Sequence, residues 1–247
     1  MTSLRQKLAT GMPVFGTWIA SADPLSAELM GKIGYDCVVL DTQHGGIAES
    51  QLLPLFQTFD LTGTPALVRV NWLDPAKIMR AADLGAAGVV VPMVSTAEDA
   101  RRAVAAIRYP PQGIRSFGPV RTYYTAGGSK EDPLLLVMVE TAEAMDNLDA
   151  IAATPGLDGI LIGPVDLALS MGLGIRLEMP DEILAAIETI AAACRKLGIV
   201  CASVALGLAN ARAQFDLGVQ LMTSGSDTLF MRRAAALELE ELRRLPS

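Results

Sequence analysis

Short runs of Val, Ile, Leu and Ala, each bounded by charged or turn-forming residues, recur at Val14–Ala20, Cys37–Asp41, Ala66–Val70, Gly88–Pro92, Leu134–Glu140, Gly159–Gly163, Ile199–Ser203 and Val219–Thr223. Each is too short for a helix, and each is continuously apolar rather than alternating, the pattern of a strand buried on both faces. The segments between them carry apolar positions three and four apart and read as amphipathic helices. Strict alternation of eight strands with helices, in a chain of 247 residues, predicts a closed (β/α)8 TIM barrel occupying 1–247 as one domain. An open doubly wound sheet is the runner-up. Against it, no GxGxxG opens a helix after a strand and no GxxxxGK[ST] occurs, so the usual nucleotide loops are missing.

Local signals sharpen parts of this outline. Asp74-Pro75 reads as an N-cap followed by Pro at the first helical position, and Gly85 stops that helix after Leu84. A further helix is expected over Ala142–Ala153. The segment from Tyr109 to Pro133 is rich in turn residues and has no period, which predicts an elaborated loop above the fourth strand, where such loops cover sites. The last stretch, Thr228–Leu245, carries mixed charge on an apolar repeat and is either the eighth barrel helix or an arm onto a neighbouring subunit.

The most informative stretch is Leu134–Gly172, where two consecutive strands each end in an acid, Glu140 and, after Gly163-Pro164-Val165, Asp166. Parallel neighbours present their carboxyl ends at one edge. Carboxylates brought together there repel unless a cation lies between them, so a hard divalent metal on Glu140 and Asp166 is one reading. The other is that each acid caps the turn or helix that follows it.

Composition narrows the ligands. Hydrophobic residues make up 51% of the chain and charged ones 19%, enough apolar material for one large core with some left over for subunit contacts, so an oligomer is expected. A net charge of −7 without basic patches argues against nucleic acid or an anionic membrane as partner and leaves small metabolites. Cys37, Cys194 and Cys201 have no paired spacing and read as reduced core residues, which together with the absence of a signal-like start or a spanning apolar run predicts a soluble, cytoplasmic protein.

In a barrel the site lies at the carboxyl ends of the strands. The polar residues expected there are Trp18 and Ser21, Asp41, Gln43 and His44, Arg69 and Asn71, Glu140 and Asp166. His44 is the single histidine, so any imidazole acid–base step must use it and any metal site must be mainly oxygen-ligated. A Ser-His-Asp hydrolase is disfavoured because no GxSxG elbow is present. Arg69 ends an apolar run inside the expected mouth, where it needs an anionic partner, either a ligand or a neighbouring acid such as Asp41 or Glu140. Trp18 is a substrate wall or a packing residue. No lysine falls at a strand end, which disfavours a Schiff base.

These residues also occur in ordered motifs: G-T-W at 16–18, D-x-x-H-G at 41–45, V-R-V-N-W-x-D-P at 68–75, V-P-M-V at 91–94, R-Y-P-P-x-G-x-R at 108–115, E-T-x-E-A-M at 140–145 and I-G-P-x-D-L at 162–167. The set resembles the HpcH/HpaI family of metal-dependent pyruvate aldolases over most of the chain. The resemblance implies a barrel assembled as a hexamer of swapped dimers, with the C-terminal helix exchanged between subunits, and a cofactor of Mg²⁺, Mn²⁺ or Co²⁺ held by Glu140 and Asp166. It implies a small-molecule 2-oxo acid and an aldehyde as partners, with Arg69 beside the developing enolate and His44 as base. Gly163, Pro164, Val165 and Asp166 would surround the substrate carboxylate, which the Val165 and Asp166 N–H groups would hold. Trp18, Gln43 and Ser116 would line the substrate, and Asp41 would belong to the catalytic group. Asp83 matches an acid that raises the basicity of the histidine, but within one barrel it should lie at the opposite end, so it would serve His44 only from a neighbouring subunit.

Members of that family acting on long dicarboxylic substrates carry Glu before the histidine and Gln two residues before the first metal acid, where this chain has Gln43 and Met138. With R-S-F-G-P at 115–119, the chain looks more like the hydroxy ketoacid aldolases, which take hydroxypyruvate as well as pyruvate. The expected reaction is reversible cleavage of a 4-hydroxy-2-oxo acid. Decarboxylation of an oxaloacetate-type acid on the same core, or non-catalytic binding of a 2-oxo acid, are the alternatives.

Overall fold

The computed structural model of the chain describes residues 3–118, 120–125, 132–175 and 179–245. Strands β1 (Val14–Ile19), β2 (Cys37–Asp41), β3 (Ala66–Arg69), β4 (Gly88–Val91), β5 (Leu134–Val139), β6 (Gly159–Ile162), β7 (Val200–Ala205) and β8 (Leu221–Ser226) pair in parallel in sequence order. β8 closes onto β1, Val14 opposite Leu221, to complete the barrel. Helix α1 (Leu4–Ala9) precedes β1. Helices α2 (Pro24–Gly31), α3 (Leu52–Thr62), α4 (Pro75–Leu84) and α5 (Ala97–Ile107) follow the first four strands, and α6 (Val120–Thr125) lies before β5. After β5 come α7 (Ala142–Asp146) and α8 (Leu148–Ala152), after β6 α9 (Pro164–Ser170) and α10 (Asp181–Leu197), after β7 α11 (Leu208–Asp216), and after β8 α12 (Asp227–Leu242).

The continuous apolar runs reflect two buried faces. In β2, Cys37 and Val39 point into the barrel with Leu67, Leu136 and Leu161, whereas Val38 and Leu40 pack outward against the helices. Leu4 and Leu8 of α1 belong to the inner cluster and plug the amino-terminal end. That leaves the carboxyl-terminal end for polar side chains. Helix α4 forms as its punctuation predicts, with the Asp74 side chain accepting from the Ala76 N–H and Gly85 in a left-handed C-cap.

Three expectations change, and at the C-terminal end the structure chooses between two forms left open. Strands β7 and β8 run to Ala205 and Ser226, beyond the expected ends at Ser203 and Thr223. The apolar signal stops early because Thr223 is buried by hydrogen bonding: its Oγ1 donates to the Ser203 carbonyl and accepts from Trp18 Nε1 at 2.9 Å. The helix expected over Ala142–Ala153 is broken at Asn147, whose Nδ2 donates to the Ser95 and Glu143 carbonyls. The described part of the segment 109–133 does not lie above the fourth strand. It follows α5, which returns the chain to the amino-terminal end, and it is tied there by Arg108 to the Pro133 carbonyl and Asp158, and by Arg121 to the Leu84 carbonyl. It also contains the short helix α6, while 119 and 126–131 lie outside the described residues, Pro119 of the R-S-F-G-P motif among them. Finally, α12 is a helix that leaves the barrel. Asp227 is its only buried residue, and every described position from Met231 onward is exposed.

Candidate active site

At the carboxyl ends of the strands lies a cleft of about 650 Å³, lined by Trp18 from β1, Asp41 and His44 from the β2 end, Arg69 from β3, Met138 from β5 and Gly163-Pro164-Val165-Asp166 after β6. The register explains the grouping. Asp41 pairs with Arg69 across β2 and β3, and Val139 pairs with Ile162 across β5 and β6, so Glu140 and Gly163 emerge side by side.

Arg69 and Asp41 form a buried bidentate pair, Nε to Oδ1 at 3.0 Å and Nη2 to Oδ2 at 2.7 Å. Of the partners open to Arg69, the fold supplies Asp41, and Nη1 has no hydrogen-bond partner among the described residues. The guanidinium lies 4.5 Å above the Trp18 ring, so Trp18 both packs and lines the cleft. Asp41 also accepts from the backbone N–H groups of Gln43 and His44, which fixes the turn that carries the imidazole. Gly45 belongs to that turn by necessity, because a Cβ there would come within 2.4 Å of the Asp41 carbonyl oxygen. Gln43 is outside the cleft lining, and its Oε1 is buried without a hydrogen-bond partner.

Glu140 is 2% exposed and accepts from the Met93 N–H at 2.6 Å through Oε1, leaving Oε2 without a donor among the described residues. Met93 presents that N–H from φ 55°, a left-handed conformation uncommon for a side chain of its size. Burial is the main influence raising the Glu140 carboxyl above its usual range, and the Asp166 charge adds to it, while the Met93 N–H and Arg69 oppose the rise. The capping alternatives fall away: Thr141, not Glu140, caps α7, and Asp166 sits in the first turn of α9, past its N-cap Gly163. Val165 and Asp166 occupy that same first turn, where backbone N–H groups lack intrahelical acceptors.

Asp83 and Ser116 are not brought to the cleft within this chain. Asp83 lies near the end of α4, at the amino-terminal end of the barrel, where its Oδ1 accepts from Arg115 Nη2 at 2.6 Å; Ser116 follows Arg115 and is exposed. This arrangement follows from α4 and α5 running antiparallel to the strands. Sequence reasoning missed three supports of the site: Met93, whose N–H meets Glu140; Asp227, whose carboxylate accepts from the Ala20 and Ser21 N–H groups; and Thr223 behind Trp18. It also missed Arg233, which lines the outer part of the cleft. Of these, only Asp227 carried a local signal, as an acid in the first turn after a strand.

The two carboxylates form a hard-oxygen set, and among the described residues no group of three or more His, Cys, Asp or Glu gathers that could hold a metal ion. Two protein carboxylates with the remaining positions left to water and substrate oxygens suit Mg²⁺ and similar ions. The open Oε2 of Glu140 and the space beside it agree with this, since a Cβ on Gly163 would fall 2.5 Å from that oxygen.

A closed parallel barrel with its polar side chains at the carboxyl-terminal mouth defines the class as a (β/α)8 protein of the enzymatic kind. The model of the HpcH/HpaI aldolase/citrate lyase family matches residues 14–234, and the chain belongs to that family. It is 34% identical to a hydroxypyruvate/pyruvate aldolase of Rhizorhabdus wittichii, over 99% of this chain and 100% of that protein. It is 36% identical to a 4-hydroxy-2-oxo-heptane-1,7-dioate aldolase of Salmonella dublin, over 94% of this chain and 91% of that one. Among solved structures, an HpcH/HpaI aldolase/citrate lyase family protein from Burkholderia cenocepacia superposes with a TM-score of 0.87 at 30% identity, covering 98% of this chain and 100% of that chain.

Proposed function

We propose that this protein is a divalent-metal-dependent aldolase that reversibly cleaves a 4-hydroxy-2-oxo acid to pyruvate or hydroxypyruvate and an aldehyde. The observation that carries the reading is the meeting, in one cleft, of Asp166 with the only histidine and an arginine that keeps Nη1 without a protein partner, beside Gly163, against which the buried Glu140 carboxylate packs. The two aldolase relatives support it.

Glu140 and Asp166 would hold Mg²⁺, Mn²⁺ or Co²⁺, which when bound supplies Lewis-acid charge for the enolate oxygen. The N–H groups of Val165 and Asp166 would bind the substrate carboxylate; Pro164 has none to give. Arg69, held by Asp41, directs its unpaired Nη1 at the keto oxygen, where negative charge grows as the C3–C4 bond breaks. His44 accepts the C4 hydroxyl proton, the C3–C4 electron pair passes into the enolate, and the aldehyde departs; His44 then holds the proton that C3 requires.

The reading includes assembly as a single-domain homo-oligomer, a hexamer of swapped dimers in which α12 reaches a neighbour. Asp83 and Ser116 would then act at the mouth of a second copy. Residues on or just after α2 and on α12 support this: Leu25, Leu29, Ile33, Met231 and Leu237 are each more than 60% exposed. The direct test incubates pyruvate or hydroxypyruvate with a panel of aldehydes and Mg²⁺, Mn²⁺ or Co²⁺, and follows new 4-hydroxy-2-oxo acids by NMR. Products that require the metal support the reading. Turnover of oxaloacetate without any aldehyde chemistry would assign the decarboxylase instead.

A further inference from the structure

Among the described residues the His44 imidazole has no hydrogen-bond partner, so its place in the mouth is set by the backbone turn that carries it. Two holds fix that turn. One is Asp41, which accepts from the Gln43 and His44 N–H groups. The other comes from the end of β1. The Ala20 carbonyl accepts from the Gly46 N–H at 2.7 Å, and Gly45 lies so close that a Cβ there would stand 3.1 Å from the Ala20 Cα.

Ala20 is in turn held from β8 and the root of α12. Gly16 stands opposite Thr223 and Trp18 opposite Ser226, so Ser224 and Gly225 together face Thr17 and form a β-bulge. The Thr17 hydroxyl donates to the Ser224 carbonyl at 3.0 Å, and Gly225 takes φ 66°, where a Cβ would fall 2.3 Å from the Phe230 ring. Just past the bulge, the Asp227 carboxylate accepts from the Ala20 N–H at 2.8 Å, the Ser21 N–H at 3.1 Å and the Ser21 hydroxyl. Asp227 is buried, and capping of α12 does not require it, because Ser226 is the N-cap and accepts from the Leu229 N–H. Apart from a contact with the Thr228 N–H, its oxygens serve the end of β1.

We propose that Asp227 is a positioning residue for His44. From the root of α12 it holds Ala20 and Ser21, Ala20 holds Gly46, and the turn fixed between β1 and Asp41 presents the imidazole to the substrate. Hydrogen bonds to a carboxylate are roughly twice as strong as neutral ones, which makes the link stiff. The role rests on the aldolase reading, in which His44 moves the proton, and adds the residue that places it. Glu140 and Asp166 stand after β5 and β6, outside this link.

The single histidine makes the test direct, because protein carrying isotope-labelled histidine gives one imidazole Cε1–H signal in NMR. Asp227→Asn keeps the size of the side chain and removes its charge and one acceptor, and it should shift or split that signal. The maximal rate of deuterium exchange into the methyl group of pyruvate, with Mg²⁺ present, should fall about 10–100-fold, the scale of misplacing a reacting group. The KM for pyruvate and the metal affinity should not change. Asp227→Glu should recover part of the signal and of the rate. If Asp227→Asn does not fold, Ser21→Ala removes one partner of the carboxylate and should move both readouts the same way by less. An unmoved signal, or a moved signal with an unmoved rate, overturns the role. So does a loss of exchange matched by a loss of metal affinity and a changed oligomer mass in light scattering, which makes Asp227 a general support of the fold. Absence of exchange in the wild type removes the aldolase reading, while the signal still decides whether Asp227 places His44.

Discussion

At the scale of single residues, the proposed metal site depends on how close Gly163 lies to Glu140. A methyl group at 163 would fall 2.5 Å from Glu140 Oε2, so Gly163→Ala must push the carboxylate aside. The expected loss of divalent-metal affinity is about 10–100-fold, the range seen when the surroundings of a ligand are disturbed. Calorimetric titration of the metal-free protein measures it, and unchanged affinity would speak against Glu140 as a ligand. The same carboxyl sets a pH dependence. Burial, followed by the Asp166 charge, raises it above the ordinary 4.5, so the folded protein keeps that proton at pH values where the unfolded chain has lost it. Metal needs the carboxylate. Affinity should therefore climb with pH through the raised value, with proton release on binding, and level off above it. In the metal-free protein the sign is reversed: this group's contribution to stability is full below about 4.5 and is lost as pH rises through the folded value. Calorimetry in buffers of different ionisation enthalpy counts the protons, and binding with no proton release at any pH contradicts the assignment.

At the scale of elements, the strands position the chemistry and their interior supports it. Trp18 Nε1 donates to Thr223 Oγ1 within the barrel, and the indole carries Arg69 on its face. Thr223→Val keeps the shape but leaves the indole N–H unpaired, at a cost of about 1–3 kcal/mol. The variant should shift the emission of Trp18, read in a Trp72→Phe background because the chain has 2 tryptophans, and should lower kcat more than it raises KM. An unaltered spectrum would remove this role. At the other end, Leu8 fills the barrel's base, and Leu8→Ala should destabilise the fold by about 2–5 kcal/mol without moving the cleft residues, as denaturant unfolding would show. The element pattern was legible because parallel strands buried on both faces must be continuously apolar. Asp74, Pro75 and Gly85 marked α4 to the residue. The ends of β7 and β8 were not legible, since Ser203 and Thr223 are buried polar residues, Thr223 donating its hydroxyl to the Ser203 backbone carbonyl. The loop at 109–133 was misplaced because turn composition says nothing about which end of a barrel a connection occupies.

At the scale of the whole molecule, the chemistry-bearing residues separate into two ends. Trp18, Asp41, His44, Arg69 and the Gly163–Asp166 turn gather at one mouth, and these could be named from the sequence because each lies at or within a few residues of the carboxyl end of a strand. Asp83 with Arg115 and Ser116 lies at the other end, while Arg233 reaches the mouth from a helix that otherwise leaves the barrel. No strand-end rule finds residues of this second kind. The exposed face of α12 predicts an oligomer: light scattering should give a mass several times 26.1 kDa, and deleting 231–245 should reduce it. A monomeric wild type would contradict the swapped assembly. No helix among the described residues is long and apolar enough to cross a membrane.

The account turns on formation of an enolate at the mouth, and the most direct measurement is deuterium exchange into the methyl group of pyruvate, followed by NMR. It would be run after chelation and again with Mg²⁺, Mn²⁺ or Co²⁺ restored. Exchange should appear only with the metal and fall by about 10²–10³-fold in Arg69→Ala, the scale of losing one donor to a developing oxyanion. Absence of exchange with every metal, for pyruvate and for hydroxypyruvate, would contradict the aldolase and leave a protein that only binds 2-oxo acids.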